Sequence, residues 1–129
     1  MNNNKNVYSD GDIEKRILEA LKEGKSNKSI CNMGGAAFHN FTDARENLIN
    51  WYPFGKSATI LEIGAGMGAL TGLLCESAAN VVALEQSPQR AEIIKTRHRA
   101  KSNLDVVCAD IYTYNFEQKF DYVLLIGVL

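Results

Sequence analysis

The feature that most constrains the fold is the run from Ile60 to Gly68, which reads Ile-Leu-Glu-Ile-Gly-Ala-Gly-Met-Gly. Its apolar start predicts a buried β-strand, and the apolar residues from Ala69 to Cys75 predict a helix directly after the glycines. Glycines at such a turn permit positive φ and let the backbone approach a ligand at the N-terminus of the helix. The run therefore predicts a strand–turn–helix unit that holds a nucleotide-type cofactor.

Two cofactors compete for this turn, and charge separates them. Gly64, Gly66 and Ala69 satisfy the loose G-x-G-x-x-G/A pattern of NAD-binding turns. NAD would bring a pyrophosphate close to Glu62, and a like-charge pair at ~6 Å costs roughly 3 kcal/mol at an effective dielectric of ~20. S-adenosyl-L-methionine brings an ammonium and a sulfonium, which a carboxylate favours. Glu62 therefore favours S-adenosyl-L-methionine, and an NAD-dependent oxidoreductase stays as a less favoured alternative.

Two further carboxylates follow predicted strands. Val81 to Leu84 is a second buried strand that ends in Glu85, whose carboxylate can accept hydrogen bonds from both ribose hydroxyls. A third strand, Leu104 to Cys108, leads to Asp110, which can accept from the adenine amino group while Ile111 covers the base. Because ligands bind at the carboxyl ends of parallel strands, these acids and Glu62 should surround one site.

These motifs resemble the class I S-adenosylmethionine-dependent methyltransferases over residues 58–129. The run from Glu62 to Gly68 looks like the family's first motif, Glu85 like its ribose-binding acid, and Ala109-Asp110-Ile111 like its adenine-binding motif. A fourth strand from Phe120 to Ile126, followed by Gly127, is similar to the strand whose tip lies beside the transferred methyl.

The resemblance implies an α/β fold, with a Rossmann-like parallel sheet in the order 3-2-1-4 and helices at the N-terminus. It also implies methyl transfer from S-adenosyl-L-methionine. The cofactor-binding residues that it implies are Glu62, Gly64, Ala65, Gly66, Met67, Gly68, Glu85, Gln86, Asp110, Ile111 and Gly127. No catalytic base can be assigned from the sequence.

The chain is predicted to divide into three parts. Residues 1–10 are Asn-rich and predict a disordered tail, residues 11–57 a helical segment, and residues 58–129 the cofactor domain. Apolar residues from Ile13 to Leu21 recur at helical spacing until Gly24. Residues 24–36 are polar, and Gly34-Gly35 within them predicts a hinge or turn. A shorter helix is expected from Thr42 or Asp43 to a point before Pro53.

Composition and charge bear on location and partners. The net charge of −1 and a hydrophobic fraction of 46% are typical of a globular domain, with no apolar run of membrane-spanning length. Three cysteines without paired spacing favour a reduced, cytoplasmic protein, and nothing indicates a metal site. The cations from Arg90 to Lys101 are interpreted as the solvated face of a helix, so a nucleic-acid partner is not expected.

The acceptor is predicted to be a small molecule or a glycan. His39 and the run Arg45-Glu46-Asn47-Leu48 look like an element of some family members associated with bacterial glycan-modifying proteins. Gly68-Ala69-Leu70-Thr71 is similar to the first motif of RNA adenine dimethylases. The Asn-Leu-Pro-Tyr signature of that group should follow the fourth strand, but Leu125-Ile126-Gly127-Val128-Leu129 stands there, which argues against an RNA substrate.

The fourth strand also indicates whether the chain contains a whole methyltransferase domain. Class I methyltransferases usually have seven strands, and the apolar run from Tyr122 to Ile126 is poorly suited to an open sheet edge. The sequence therefore predicts an incomplete, inactive portion of a methyltransferase, whose fourth strand pairs with a second copy or is covered by the N-terminal helices. A non-catalytic domain that binds the cofactor is the alternative function.

Overall fold

A parallel sheet with helices packed on it forms the frame of the protein. The computed structural model describes residues 9–128. The helices are α1 (Asp12–Lys22), α2 (Asn27–Cys31), α3 (Gly35–Phe41), a 3-10 helix (Asp43–Leu48), α4 (Thr71–Ser77) and α5 (Pro88–Arg97). The strands are β1 (Thr59–Ile63), β2 (Asn80–Glu85), β3 (Leu104–Cys108) and β4 (Tyr122–Leu125).

The sheet has four strands in the order β3-β2-β1-β4, all parallel, as the sequence predicts. Ile63 at the end of β1 is in register with Leu84 of β2 and with Leu125 of β4. The segments that follow the strands therefore leave the sheet at one common edge, where open parallel sheets bind their ligands.

The two central strands are buried on both faces, as near-continuous apolar runs in parallel sheets usually are. On one face Leu61 and Leu84 pack with partly buried aromatic residues, among them Phe116 and Phe120. On the other face Ile60 and Val81 pack against residues that precede β1 or belong to the α4 region, including Phe54, Leu70 and Leu74.

The N-terminal helices pack on α5 and on the turn after β1. Ile17 of α1, Ile30 of α2 and Phe41 of α3 share one buried cluster with Met67 and Ile93. The polar residues 24–36 contain α2 and the start of α3, and the predicted hinge or turn at Gly34-Gly35 lies where these two helices meet. Short helices of this kind gain most of their stability from tertiary packing, which a polar local sequence does not reveal.

The predicted division of the chain into three parts stays a prediction. Residues 1–8 of the predicted tail lie outside the described residues. Ser9 and Asp10 are described, and both contact Glu14 of α1. The division between a helical segment and a cofactor domain at residue 58 stays a prediction.

Strand β4 pairs with β1 along one edge, and no strand among residues 9–128 pairs with its other edge. Val123 and Leu125 are 54% and 46% exposed. Tyr122 packs against Tyr52 and Phe54, which follow the 3-10 helix, so aromatic residues of this segment contact the strand where covering helices were expected. None of the helices in the described part of the chain is long and apolar enough to cross a lipid bilayer.

Candidate cofactor site

A crevice of about 710 Å³ opens at the edge where all four strands end. Asn40 and Arg45 of the N-terminal segment also line it. The predicted site residues that line the crevice are Glu62, Gly64, Ala65, Gly66, Glu85, Gln86, Asp110, Ile111 and Gly127. The structure therefore brings most of the predicted residues together.

Met67 and Gly68 do not line the crevice, contrary to the sequence-based expectation. Met67 is 1% exposed and belongs to the cluster beneath the N-terminal helices. Gly68 faces the ring of His98 on the far side of the turn. Both residues lie on the side of the turn that faces away from the crevice, because the chain at this point already turns towards α4.

The first part of the glycine turn faces the crevice. Gly64 and Gly66 have φ angles of +66° and +61°, in the left-handed region that glycine adopts most readily. The backbone N–H groups of Gly64 and Ala65 donate to the Leu84 carbonyl at 2.8 and 3.1 Å, which ties the turn to β2. A Cβ built on Gly66 would meet no atom within 4 Å, so a ligand can approach this backbone closely.

Glu85 holds the turn while facing the crevice. Its Oε2 accepts a 2.7 Å hydrogen bond from the Gly66 N–H, and its Oε1 accepts a 2.9 Å bond from the Ser87 N–H. Each carboxylate oxygen keeps a second acceptor position. Glu85 can therefore accept from ligand hydroxyls without releasing the turn.

Glu62 is buried at the end of β1, 6% exposed. Its Oε2 accepts a 2.6 Å hydrogen bond from the Thr71 hydroxyl. Burial raises the pKa of Glu62 to about 7, and the Thr71 hydrogen bond and the charges of Arg45 and Arg97 oppose that rise. A cationic ligand group in the crevice would favour the ionised carboxylate further.

The segment after β3 forms one end of the crevice, and the segment after β4 lies at the other end. Asp110 accepts a 2.9 Å hydrogen bond from the Tyr112 N–H through Oδ1, and Gln86 donates to its Oδ2 at 3.5 Å. Ile111 lies beside Asp110 and contributes a partly buried apolar side chain. An acceptor and an apolar surface are thus adjacent, as the binding of a flat heterocycle with an exocyclic amino group requires.

Two side chains that were not among the predicted site residues, Arg97 and His98, contact the glycine turn on the side away from the crevice. Arg97 donates to the Met67 carbonyl at 3.0 Å and to the Asn40 carbonyl at 2.8 Å. Its guanidinium carbon also lies 4.0 Å from the centroid of the Phe41 ring. Burial lowers the pKa of Arg97 to about 10.

His98 fills the space beside Gly68 and Gly72, where added Cβ atoms would come within 2.8 and 2.9 Å of its ring. Its Nε2 lies 2.8 Å from the Gly68 carbonyl and must carry the proton, because a carbonyl only accepts. Burial lowers the pKa of His98 to about 4. Gly68 lies before α4 and Gly72 lies within it, four residues apart in sequence. This spacing of two glycines is the sequence signal that could have indicated a ring packed against them.

The interpretation of the α5 cations as a solvated face is wrong for three of them. Arg97 and His98 hold the turn, and Arg90 pairs with Glu14 at 2.8 Å and with Asp10 at 3.0 Å. Their partners come from distant parts of the chain, so the charge pattern of the helix alone could not distinguish these residues from Arg99, which is exposed.

Comparison with protein families gives one decisive match. Residues 42–124, more than half of the chain, match the family described as ribosomal RNA adenine dimethylase. The chain belongs to this family. The predicted membership of the class I S-adenosylmethionine-dependent methyltransferases is thereby confirmed.

Individual relatives agree with the family match. Ribosomal RNA small subunit methyltransferase A of Streptococcus sanguinis is 34% identical over 84 residues, which are 65% of this chain and 29% of that protein. The chain thus spans less than a third of the length of that relative. A dimethyladenosine transferase structure from Plasmodium falciparum is 28% identical with a TM-score of 0.56, over 64% of this chain and 30% of the other.

The structure of the N-terminal domain of EvdMO1 with SAH (S-adenosylhomocysteine) bound is 25% identical, with a TM-score of 0.57, over 67% of this chain and 39% of the other. The cofactor predicted from Glu62 and the later strand ends, S-adenosyl-L-methionine, is confirmed by these comparisons.

The predicted partners are wrong. A small-molecule or glycan acceptor was expected and a nucleic acid was not, whereas the matched family and the Streptococcus sanguinis relative are named for ribosomal RNA methylation. The similarity of Gly68-Ala69-Leu70-Thr71 to the dimethylase motif was the correct signal. The departure that outweighed it begins at Leu125, just beyond the matched residues, which end at Leu124.

Proposed function

We propose that the chain is the cofactor-binding part of a methyltransferase that transfers methyl groups from S-adenosyl-L-methionine to adenine in ribosomal RNA. The observation that carries the proposal is a crevice lined by acids at three successive strand ends, in a chain of the ribosomal RNA adenine dimethylase family. A cytoplasmic location, predicted from the cysteines, agrees with an RNA acceptor.

The crevice residues fit an adenosyl group placed along the strand ends. Asp110 and Ile111 would hold the adenine, and Glu85 would accept from the ribose hydroxyls. The backbone at Gly66, open to the crevice, would lie against the middle of the cofactor. Glu62 and Gly64, at the end of β1, would then meet its amino-acid end.

The Glu62 carboxylate would stabilise the protonated, positively charged form of the cofactor's amino group. The carboxylate is buried and its pKa is raised to about 7, so a nearby cation would stabilise the ionised form by replacing lost hydration. A pyrophosphate at the same place would oppose it. This electrostatic difference supports the sulfonium cofactor over NAD.

The bound cofactor supplies a methyl group on a sulfonium, which is already electrophilic. The task of the protein is therefore to hold the acceptor nitrogen on the axis of that methyl, and positioning of this kind can contribute roughly 7–11 kcal/mol. Gly127 and Val128, after β4, line the crevice at the end where this acceptor would enter. They bring no side chain able to bind its amino group.

A second candidate function is cofactor binding without methyl transfer. It is favoured by the run Leu125-Ile126-Gly127-Val128, which begins at the last residue of β4 and stands where the Asn-Leu-Pro-Tyr signature of RNA adenine dimethylases is expected. Methyl transfer by the protein that contains this chain separates the two candidates.

The test has two stages. Titration calorimetry of the chain with S-adenosylhomocysteine and with NADH should show binding of the first ligand alone. Next, the protein that contains the chain is incubated with radiolabelled S-adenosyl-L-methionine and small-subunit ribosomal RNA, and the nucleosides are separated after digestion. Label in methylated adenosine is expected. Binding without label would favour the second candidate, and binding of NADH alone would refute both.

A further inference from the structure

The charges that face the crevice are unevenly distributed. Glu62, Glu85 and Asp110 contribute carboxylates, and the described cationic side chains that line the crevice are Arg45 and Arg90. A ligand with a negative group can therefore find its counter-charge at one of these two arginines.

Arg90 already forms two ion pairs within the protein. Its Nε donates to the buried Glu14 carboxylate at 2.8 Å, and its Nη2 pairs with Asp10 at 3.0 Å. Arg45, on the 3-10 helix, forms no ion pair with any residue in the range 9–128. It is half-buried at the crevice wall, so the unpaired guanidinium faces the ligand space.

The strand order fixes the position of Arg45 relative to the three acids. Because the sheet runs β3-β2-β1-β4, Asp110, Glu85 and Glu62 follow one another across its edge, and Gly127 comes last. The Nη2 atom of Arg45 lies 3.6 Å from the point where a Cβ on Gly127 would stand. Arg45 is therefore at the end of the crevice opposite Asp110.

The proposed cofactor pose gives that end a defined chemistry. With adenine at Asp110 and ribose at Glu85, the amino-acid part of the cofactor reaches the ends of β1 and β4. That part carries one ammonium and one carboxylate. Glu62 suits the ammonium, and a guanidinium is the side chain that matches a carboxylate in a bidentate geometry.

We infer that Arg45 binds the α-carboxylate of the cofactor, so that the site selects an intact amino-acid group as well as an adenosyl group. This inference rests on the proposed function. It assigns Arg45 a role in positioning the cofactor's amino-acid end, because the carboxylate is the one negative group that this cofactor presents.

The test compares two ligands that differ only in this group: S-adenosylhomocysteine and its decarboxylated analogue, in which hydrogen replaces the carboxylate. Arg45→Gln removes the charge, and Arg99→Gln is the matched control, since Arg99 is exposed, follows α5 and donates only to the nearby Thr96 carbonyl among the described residues. Thermal denaturation of each variant verifies that the fold is retained. Calorimetry then gives the affinity of each protein for each ligand.

Arg45→Gln should weaken S-adenosylhomocysteine binding by about tenfold to a hundredfold and leave binding of the decarboxylated analogue unchanged. Arg45→Lys should recover part of the loss, and Arg99→Gln should behave as the wild type. Equal losses for both ligands, or no loss for either, would overturn the inference while leaving the proposed function intact. A wild-type chain that binds neither ligand would overturn both.

Discussion

At the scale of single residues, Gly66 and Gly68 have the same left-handed backbone for different reasons. Their φ angles are +61° and +80°. The space beside Gly66 is empty and belongs to the crevice, whereas the space beside Gly68 is filled by the ring of His98. Packing therefore requires glycine at Gly68, and under the proposed function the ligand requires it at Gly66.

Gly66→Ala should weaken S-adenosylhomocysteine binding at least about tenfold, because its methyl group would occupy the ligand space, while left-handed strain lowers stability by about 1–2 kcal/mol. Gly55→Ala is the matched control, since Gly55 also has positive φ, with no neighbour within 4 Å and no place in the crevice. Calorimetry and urea denaturation measure the two effects. Equal loss of affinity in both variants would contradict the assignment of Gly66.

The sequence was sufficient to place Glu85 and Asp110, because an acid at the end of an apolar strand must lie at the sheet edge. It was not sufficient for Arg97 and His98. Their partners, Asn40 and the carbonyls of Met67 and Gly68, are distant in the chain, so only the packing of α5 reveals them. Their roles depend on tertiary contacts rather than on residue type.

At the scale of elements, α1 and α5 are joined by the ion pair between Glu14 and Arg90. The Glu14 side chain is fully buried, and it also accepts from the Asp10 backbone N–H at 2.9 Å. The strands were predictable because short apolar runs bounded by turn residues favour β-strands. The α1–α5 contact was not, since each helix shows only its own polar residues in sequence.

Arg90→Ala should lower the free energy of unfolding by about 3–5 kcal/mol, because it leaves a buried carboxylate without its counter-charge. The double variant Glu14→Gln with Arg90→Ala should recover part of this loss. Lys25→Ala is the control, since its pair with Glu23 is exposed and worth about 0.5 kcal/mol. Urea denaturation measures the free energy of unfolding of the three variants. If Arg90→Ala loses no more stability than Lys25→Ala, the ion pair between Glu14 and Arg90 is not a major source of stability.

At the scale of the whole molecule, the N-terminal helices and the sheet domain share one core around Met67 and Ile93. His98 is close to this junction and is held neutral by burial. Because its folded pKa of about 4 lies below the ordinary value of 6.5, it contributes stability above pH 6.5 that is lost as the pH falls towards 4.

The difference in unfolding free energy between the wild type and His98→Gln should therefore change between pH 6.5 and pH 4, by about 3 kcal/mol at most. The raised pKa of Glu62 acts in the opposite direction, but it is common to both proteins and cancels. Urea denaturation at several pH values measures the difference. A constant difference over this range would show that His98 titrates normally in the folded protein.

The contact between Glu14 and Arg90 also has a consequence for biosynthesis. The two residues are 76 positions apart, so at typical ribosomal rates of about 5–20 residues per second the first emerges roughly 4–15 seconds before the second. Throughout that interval the nascent first helix has an apolar face and an acid with no counter-ion. Its contacts with α5 can form only after α5 has left the exit tunnel, so the growing polypeptide must tolerate this exposed surface during synthesis.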